Sequence, residues 1–324
     1  MIKAFVVDHD RLHPVDHLIA NSADVVWVDL VNPTREEEKA VELWIGVSVP
    51  TREEMEEIEI SSRLYAENGA YVMTATLPAQ ADDDRPEMLP VTFMLAGERL
   101  ITIRYHEPRA FKTFPLRAEK TDIGCTNGET ILVSLLEAIV DRLADVLERA
   151  SRDVIAISQD MFGSTEKKAS KRYRDFRRII HRIGSKEDLV SKVQDSLLTL
   201  QRLSGFLANI VAQDNQAKVM RARVKTIARD VSSLSDHASF QTQKINFLLD
   251  ATLGMINIEQ NGIIKIFSVA AVVFLPPTLV ASIYGMNFEV MPELKWAGGY
   301  PLALGVMVLS AVLPFLFFRR KGWL

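Results

Sequence analysis

Two stretches towards the C-terminal end, Ile263 to Tyr284 and Tyr300 to Phe318, are apolar almost throughout, and the polar segment 285–299 joins them. A hydrocarbon slab of roughly 30 Å needs about 20 apolar residues in a helix, close to the length of each run. No charged side chain interrupts them between Phe267 and Phe318 outside the joining segment. The pattern predicts a membrane hairpin, with one transmembrane helix over 263–284, an extracytoplasmic loop over 285–299 and a second helix over 300–318. Two buried helices of a large soluble core are the alternative that length disfavours.

Upstream the pattern has two regimes. Over 1–125, short β-branched segments bounded by turn formers predict strands at Ile2 to Val7, Val25 to Leu30, Ala70 to Thr76, Pro90 to Leu95 and Leu100 to Arg104. Thr34 and Thr51 each precede a run of acids, which predicts N-caps and helices favoured by the dipole. An α/β sandwich is the expected outcome. Over 126–262 no proline occurs, and apolar residues recur at three-to-four spacing, as in Ile131, Leu135, Ala138, Leu143, Val146 and Leu147. This predicts three long helices, broken near Phe162-Gly163-Ser164 and Gln213-Asp214-Asn215. The last would run from about Gln216 through the first apolar run, a rod of roughly 100 Å at 1.5 Å per residue.

Averages conceal this organisation. The 324 residues are 48% hydrophobic and 25% charged with net charge −4, values that suit a soluble protein and give no argument for nucleic-acid binding. The charge is concentrated before residue 260, so a water-exposed body anchored at its C-terminal end is expected. The single Cys125 excludes an intrachain disulfide framework. The N-terminal Met1-Ile-Lys-Ala-Phe-Val-Val-Asp8 does not read as a signal peptide. Arg319, Arg320 and Lys321 form a basic tail just after the second run, whereas the joining segment carries Lys295 against Glu289 and Glu293. The positive-inside rule then puts both termini in the cytoplasm, and Trp296 and Trp323 fall at the two expected interfaces.

Stepping back from the tip by three and four gives Gly285, Ser282, Thr278, Leu275, Ala271, Ser268 with Phe267 beside it, Ile264, Asn261, Asn257, Gly254 and Asp250. One face of the long helix is small or polar almost throughout. Small residues alone would make a helix-packing face. The amides and carboxylate at the ends of the stripe point instead to a water-filled path, since polar groups facing lipid would go unsatisfied. Two apolar runs cannot enclose a pore, so several copies must contribute the same helix around an axis. Pro276 and Pro277 remove two N–H donors from the middle of the first run, which predicts a bend there.

Tyr284-Gly-Met-Asn287, then Phe288-Glu and Met291-Pro-Glu-Leu294, resembles the signature of the CorA family of magnesium channels. So do Ile256-Asn-Ile-Glu-Gln-Asn261, Ile266-Phe-Ser-Val269, Phe274-Leu-Pro-Pro-Thr-Leu-Val-Ala281 and the ending Arg319-Arg-Lys-Gly-Trp-Leu324, which are similar to the family's enterobacterial-type branch. The resemblance implies an α+β membrane protein: an N-terminal cytoplasmic α/β sandwich, a long helical stalk and two C-terminal transmembrane helices in a funnel-shaped homopentamer. It implies Mg2+ influx driven by membrane potential, with Co2+ and Ni2+ as further cations, across the inner membrane, and no enzymatic activity or cofactor.

By position, Gly285, Met286 and Asn287 would form the selectivity filter. Asn261, Thr278, Asp250, Asn257, Ser268 and Ser282 would line the path. Ile264, Phe267 and Leu275 would form a hydrophobic gate that closes by dewetting. Glu289 and Glu293 would attract cations in the loop. Arg319, Arg320 and Lys321 would make an inner basic collar. Regulation by cytoplasmic Mg2+ is also implied, with Asp230 and Asp83, in the acidic run Asp82-Asp-Asp84, as candidate ligands.

Other signals are read as structural. Asp8-His-Asp10 with His13, Asp16 and His17 has metal-ligand residue types, but a polar strand-end loop is the simpler reading. The basic run from Lys167 to Arg182 alternates with Phe176, Ile179, Ile180 and Ile183 and reads as the solvated face of an amphipathic helix. Two competing functions stay open at this point: a zinc transporter of the same superfamily, and a membrane-anchored helical scaffold.

Overall fold

The computed structural model describes residues 1–15, 24–82, 86–122, 124–162, 169–213, 217–287 and 291–323, with the backbone alone for 169–175, 293 and 294. It divides into two compact units, Met1–Thr165 with Arg178–Leu249, and Glu166–Arg177 with Asp250–Leu324.

The first unit is built on a seven-stranded sheet. In chain order its strands are β1 (Ile2–Asp8), β2 (Arg11–Val15), β3 (Val25–Val31), β4 (Leu64–Glu67), β5 (Ala70–Ala79), β6 (Glu87–Ala96) and β7 (Arg99–Arg104). Their order across the sheet is β2-β1-β3-β7-β6-β5-β4. All pairings are antiparallel except β3 with β7. The five expected strands are present. The two that periodicity missed are the sheet's edges, β2 and β4, each too short to show an alternation. Pro14 is tolerated in β2 because an edge strand has one row of N–H groups without a ladder partner.

The strongly buried polar cluster lies across the parallel pair. Arg104 and Asp29 have side chains only 0% and 3% exposed and form a 2.8 Å ion pair, with Arg104 Nε also donating to the same carboxylate. Thr102 donates to Asp29 and accepts from the Trp27 indole, at 2.8 and 3.0 Å. Every member has a partner, which is the condition under which buried charge is tolerated.

Thr34 and Thr51 cap α1 (Arg35–Ile45) and α2 (Arg52–Glu56) as expected, each in a capping box with Glu37 or Glu54. The turn α3 (Ile60–Arg63) and the helix α4 (Arg109–Lys120) were not expected; Pro115 inside α4 masks it in the sequence. The helix α5 runs Gly128–Phe162. It begins at glycine because a Cβ there would lie 2.4 Å from the Arg99 backbone.

Helix α6 (Ala169–Ala212) is tied to β5 by Ser196 donating to the Thr76 carbonyl and Thr199 accepting from the Thr76 N–H. Phe176, Ile179 and Ile183 are buried while Arg177 and Arg178 are exposed, so this part of the basic run behaves as an amphipathic face. Residues 163–168 lie outside the described residues.

Helix α7 (Lys218–Tyr284) is continuous over 67 residues, with Pro276 and Pro277 inside it. In the first unit Arg223 holds it to α5 through two hydrogen bonds to Glu137 and one to Ser134. In the second unit α7 is followed by a 3-10 turn (Pro292–Lys295) and α8 (Gly299–Arg320).

Candidate ion-conduction pathway

Helix α7 ends at Tyr284 because Gly285 closes the last turn on the Ala281 carbonyl at 2.9 Å, and Met286 bonds Ile283 in a tighter turn. A Cβ at Gly285 would stand 3.1 Å from that same carbonyl, so the corner is tight for any larger residue. Asn287 follows, exposed. At the other end of the loop, Gly298 leaves room for the Trp296 ring, which a Cβ would approach to 2.8 Å.

Down α7 the stripe predicted from sequence is exposed at every position: Asp250, Gly254, Asn257, Asn261, Ile264, Phe267, Ser268, Ala271, Leu275, Thr278, Ser282 and Gly285. The exposure includes large apolar groups, with Phe267 at 72% and Leu275 at 65%, which water alone would not favour. Residues of the same span that lose exposure are Val269, Ala270, Val273, Pro276, Pro277, Val280 and Tyr284. At roughly 100° per residue, these point to the side of the helix opposite the stripe. The helix is therefore partly covered along one side, its back, and uncovered over the rest of its surface, the stripe at its front included. Thr278, on the front, turns its hydroxyl onto the Phe274 carbonyl at 2.7 Å. Asp250, Asn257, Asn261 and Asn287 make no side-chain hydrogen bond among the described residues.

Both apolar helices are long enough to cross a membrane, and only 6% of each apolar window is buried within the chain. A core helix of a soluble protein would be mostly buried, so the soluble-core alternative does not hold. Lys265 lies 5.7 Å from the Trp323 ring, which brings the foot of the first run beside the end of the second. Arg319 and Arg320 occupy the last turn of α8, where cations complement the helix dipole, and Lys321 follows. Glu289 lies outside the described residues. Glu293 falls in the 3-10 turn, its side chain likewise outside them.

The regulatory candidates fare differently. Asp83 lies outside the described residues. Its neighbour Asp82 is engaged by three arginines, Arg109 and Arg142 at 2.7 Å and Arg149. Burial alone would raise the Asp82 pKa, but the guanidinium groups of Arg142 and Arg149 override it and bring it to about 2. Asp230 is exposed on α7 and lies close enough to act on Asp141 of α5. The Asp141 carboxyl lines a cleft between α4 and α5 with Arg109, Arg117, Arg142 and Asp145. Partial burial there raises its pKa; Arg117 opposes this, while Glu137, Asp145 and Asp230 reinforce it. Sequence reasoning missed Asp141 because it belongs to an ordinary charged helix face, and only the packing of α5 beside α7 reveals the cluster. Among the described residues, no three His, Cys, Asp or Glu side chains converge as a metal site. The Asp8-His9-Asp10 segment is the tight turn of the β1–β2 hairpin, with His9 and Asp10 both at positive φ.

An α/β unit, a helix of 67 residues and two exposed apolar helices long enough to cross a membrane are the parts of a membrane-embedded transport protein. The chain belongs to the CorA-like Mg2+ transporter family, whose model matches residues 22–320. Among its relatives, the magnesium transport protein CorA of Haemophilus influenzae (strain ATCC 51907 / DSM 11121 / KW20 / Rd) is 36% identical over 324 residues, and that of Pectobacterium atrosepticum is 38% identical over 328. Each comparison covers 100% of both chains. The complete structure of the CorA magnesium transporter from Methanocaldococcus jannaschii shares the fold with a TM-score of 0.78 at 19% identity, over 100% of this chain and 99% of that one. The cytoplasmic domain of ZntB from Vibrio parahaemolyticus matches 79% of this chain and 97% of its own, with a TM-score of 0.55 at 8% identity. At these identities the two structures speak to fold alone.

Proposed function

We propose that the protein is a Mg2+ channel in which several copies, five by the family resemblance, place the front of α7 around a common axis. The observation that carries this reading is the exposed stripe of small and polar residues from Asp250 to Gly285, set opposite the partly covered side of the same helix and ending at the Gly285-Met286-Asn287 corner. Mg2+ gives up its water reluctantly, so a ring of neutral amide and carbonyl oxygens that hydrogen-bonds the hydrated ion suits it better than carboxylates. Asn287 and the Gly285 carbonyl supply that ring at the outer mouth. Asn261 and Asn257 supply a second near the inner end, and Asp250 adds charge below them. Ile264, Phe267 and Leu275 form the apolar constriction, with Ser268, Thr278 and Ser282 between and above as polar steps.

No chemical energy source is needed. Moving charge +2 down an inside-negative potential is favourable by roughly 4.6 kcal/mol per 100 mV. Co2+ and Ni2+, similar in charge and hydration, pass by the same ring. The protein sits in the inner membrane with both termini cytoplasmic, Arg319, Arg320 and Lys321 anchoring the inner side. Cytoplasmic Mg2+ closes the channel by binding carboxylates between neighbouring bodies. Asp230, with Asp141 beside it in the same chain, is the favoured ligand group for such a shared site.

The test is Mg2+ flux into liposomes holding the purified oligomer, at inside-negative potential, with internal Mg2+ varied. Wild type carries flux that falls as internal Mg2+ rises, and Asn287→Ala loses it. Normal flux in Asn287→Ala, or zinc flux exceeding magnesium flux, overturns the filter assignment. No flux of any ion from an assembled oligomer favours a scaffold.

A further inference from the structure

On the back of α7, at the foot of the apolar run, a groove of about 300 Å³ opens between Phe176 of α6 and Met255, Ile258, Glu259, Gly262, Ile263 and Ile266. Met255, Glu259, Gly262, Ile263 and Ile266 follow the i, i+4, i+7, i+8, i+11 spacing of a single helix face. That face is turned away from the stripe assigned to ions. The groove is apolar except for one group, the Glu259 carboxylate. Its Oε2 is shut off from solvent and has no hydrogen-bond partner among the described residues. A buried acceptor left unsatisfied costs about 1–3 kcal/mol, and more when it is charged. The space beside Gly262 is open, a Cβ there meeting nothing within 4 Å.

We propose that this groove holds a membrane phospholipid with a primary ammonium headgroup, the ammonium on Glu259 and an acyl chain along Ile263 and Ile266. Charge complementarity selects this occupant. A primary ammonium offers three N–H donors to the Glu259 carboxylate, a quaternary choline offers none, and an anionic headgroup is repelled. Position selects it too. Glu259 lies one turn before Ile263, where the apolar run starts, so the carboxylate falls at headgroup level and the apolar part of the groove faces the acyl region. The bound lipid would wedge between α6 and the back of α7.

The test uses the full-length oligomer, delipidated in detergent and titrated with phosphatidylethanolamine, phosphatidylcholine or phosphatidylglycerol of matched chains, bound lipid being counted by native mass spectrometry. Wild type should retain phosphatidylethanolamine at least severalfold better than either competitor. Glu259→Gln should abolish that preference while the oligomer stays intact. Gly262→Leu, which fills the groove and keeps the charge, should lower retention of phosphatidylethanolamine. Equal retention of the three lipids by wild type overturns the proposal, as does an unchanged preference in Glu259→Gln. Dissociation of the Glu259→Gln oligomer also overturns it, because the carboxylate would then be pairing with a second copy of the chain.

Discussion

The buried cluster on β3 and β7 and the front of α7 both place polar groups among apolar ones, and they do so in opposite ways. Around Asp29 each donor and acceptor is matched within the chain: Arg104 lies on the carboxylate, Thr102 bridges it to Trp27, and the side chains of the ion pair are almost fully enclosed. Along α7 the amides of Asn257, Asn261 and Asn287 stand exposed and unmatched among the described residues, beside equally exposed Ile264, Phe267 and Leu275. A matched cluster is complete within the chain. An unmatched row in a helix with apolar flanks is complete only when water, an ion or other copies of the chain face it. The first region is complete within the chain, and the second is left for the proposed conduction path to complete.

Substitutions should divide along the same line. The largest effect is expected from Arg104→Ala, which strands the Asp29 carboxylate in the core and should cost about 3–5 kcal/mol. Loss of folded, membrane-assembled protein on gel filtration is the readout, and normal assembly would make the cluster dispensable. Asn261→Ala should do the reverse, leaving thermal stability unchanged while Mg2+ flux drops at least about tenfold, since a ring of copies loses several hydrogen bonds of about 0.5–1.5 kcal/mol each. A stability loss comparable to that of Arg104→Ala would erase the distinction.

Asp230→Asn should leave both folding and maximal flux intact and raise, several-fold, the internal Mg2+ needed for half-closure. Asp141→Asn should act in the same direction. The smallest effect concerns pH. The folded pKa of Asp82 is depressed to about 2 from 3.8, so its stabilising contribution is present above pH 3.8 and fades as pH falls towards 2. The melting temperature of Asp82→Asn should therefore fall less than that of wild type over this window, by a modest amount because the aspartate is partly solvated.

Much of this organisation is legible in the sequence, for reasons that differ by region. The membrane hairpin shows because lipid demands long uninterrupted apolar runs, and the stripe shows because helical spacing survives in a continuous helix. The capping boxes at Thr34 and Thr51 show because capping is local chemistry. Edge strands β2 and β4 are hidden by their brevity, and α4 by Pro115. The cluster of Asp141 with Asp230, the triple clasp of Asp82 and the enclosed carboxylate oxygen of Glu259 were not legible at all. Each depends on which helices lie side by side, a property of tertiary packing that single-helix periodicity does not encode.

The central claim is that α7 has a water-lined front and a partly covered back, and cysteine scanning of its membrane span tests it directly. The background favours the experiment: Cys125 is the only cysteine in the chain, it is buried, and desolvation pushes its thiol up to about 11, so it reacts slowly. Ser268→Cys, Thr278→Cys and Ser282→Cys should be labelled by a water-soluble methanethiosulfonate reagent and lose Mg2+ flux on labelling, while Val273→Cys and Val280→Cys should stay unlabelled and active. Equal labelling of both faces, or block of flux from Val273→Cys with Ser268→Cys untouched, would contradict the account.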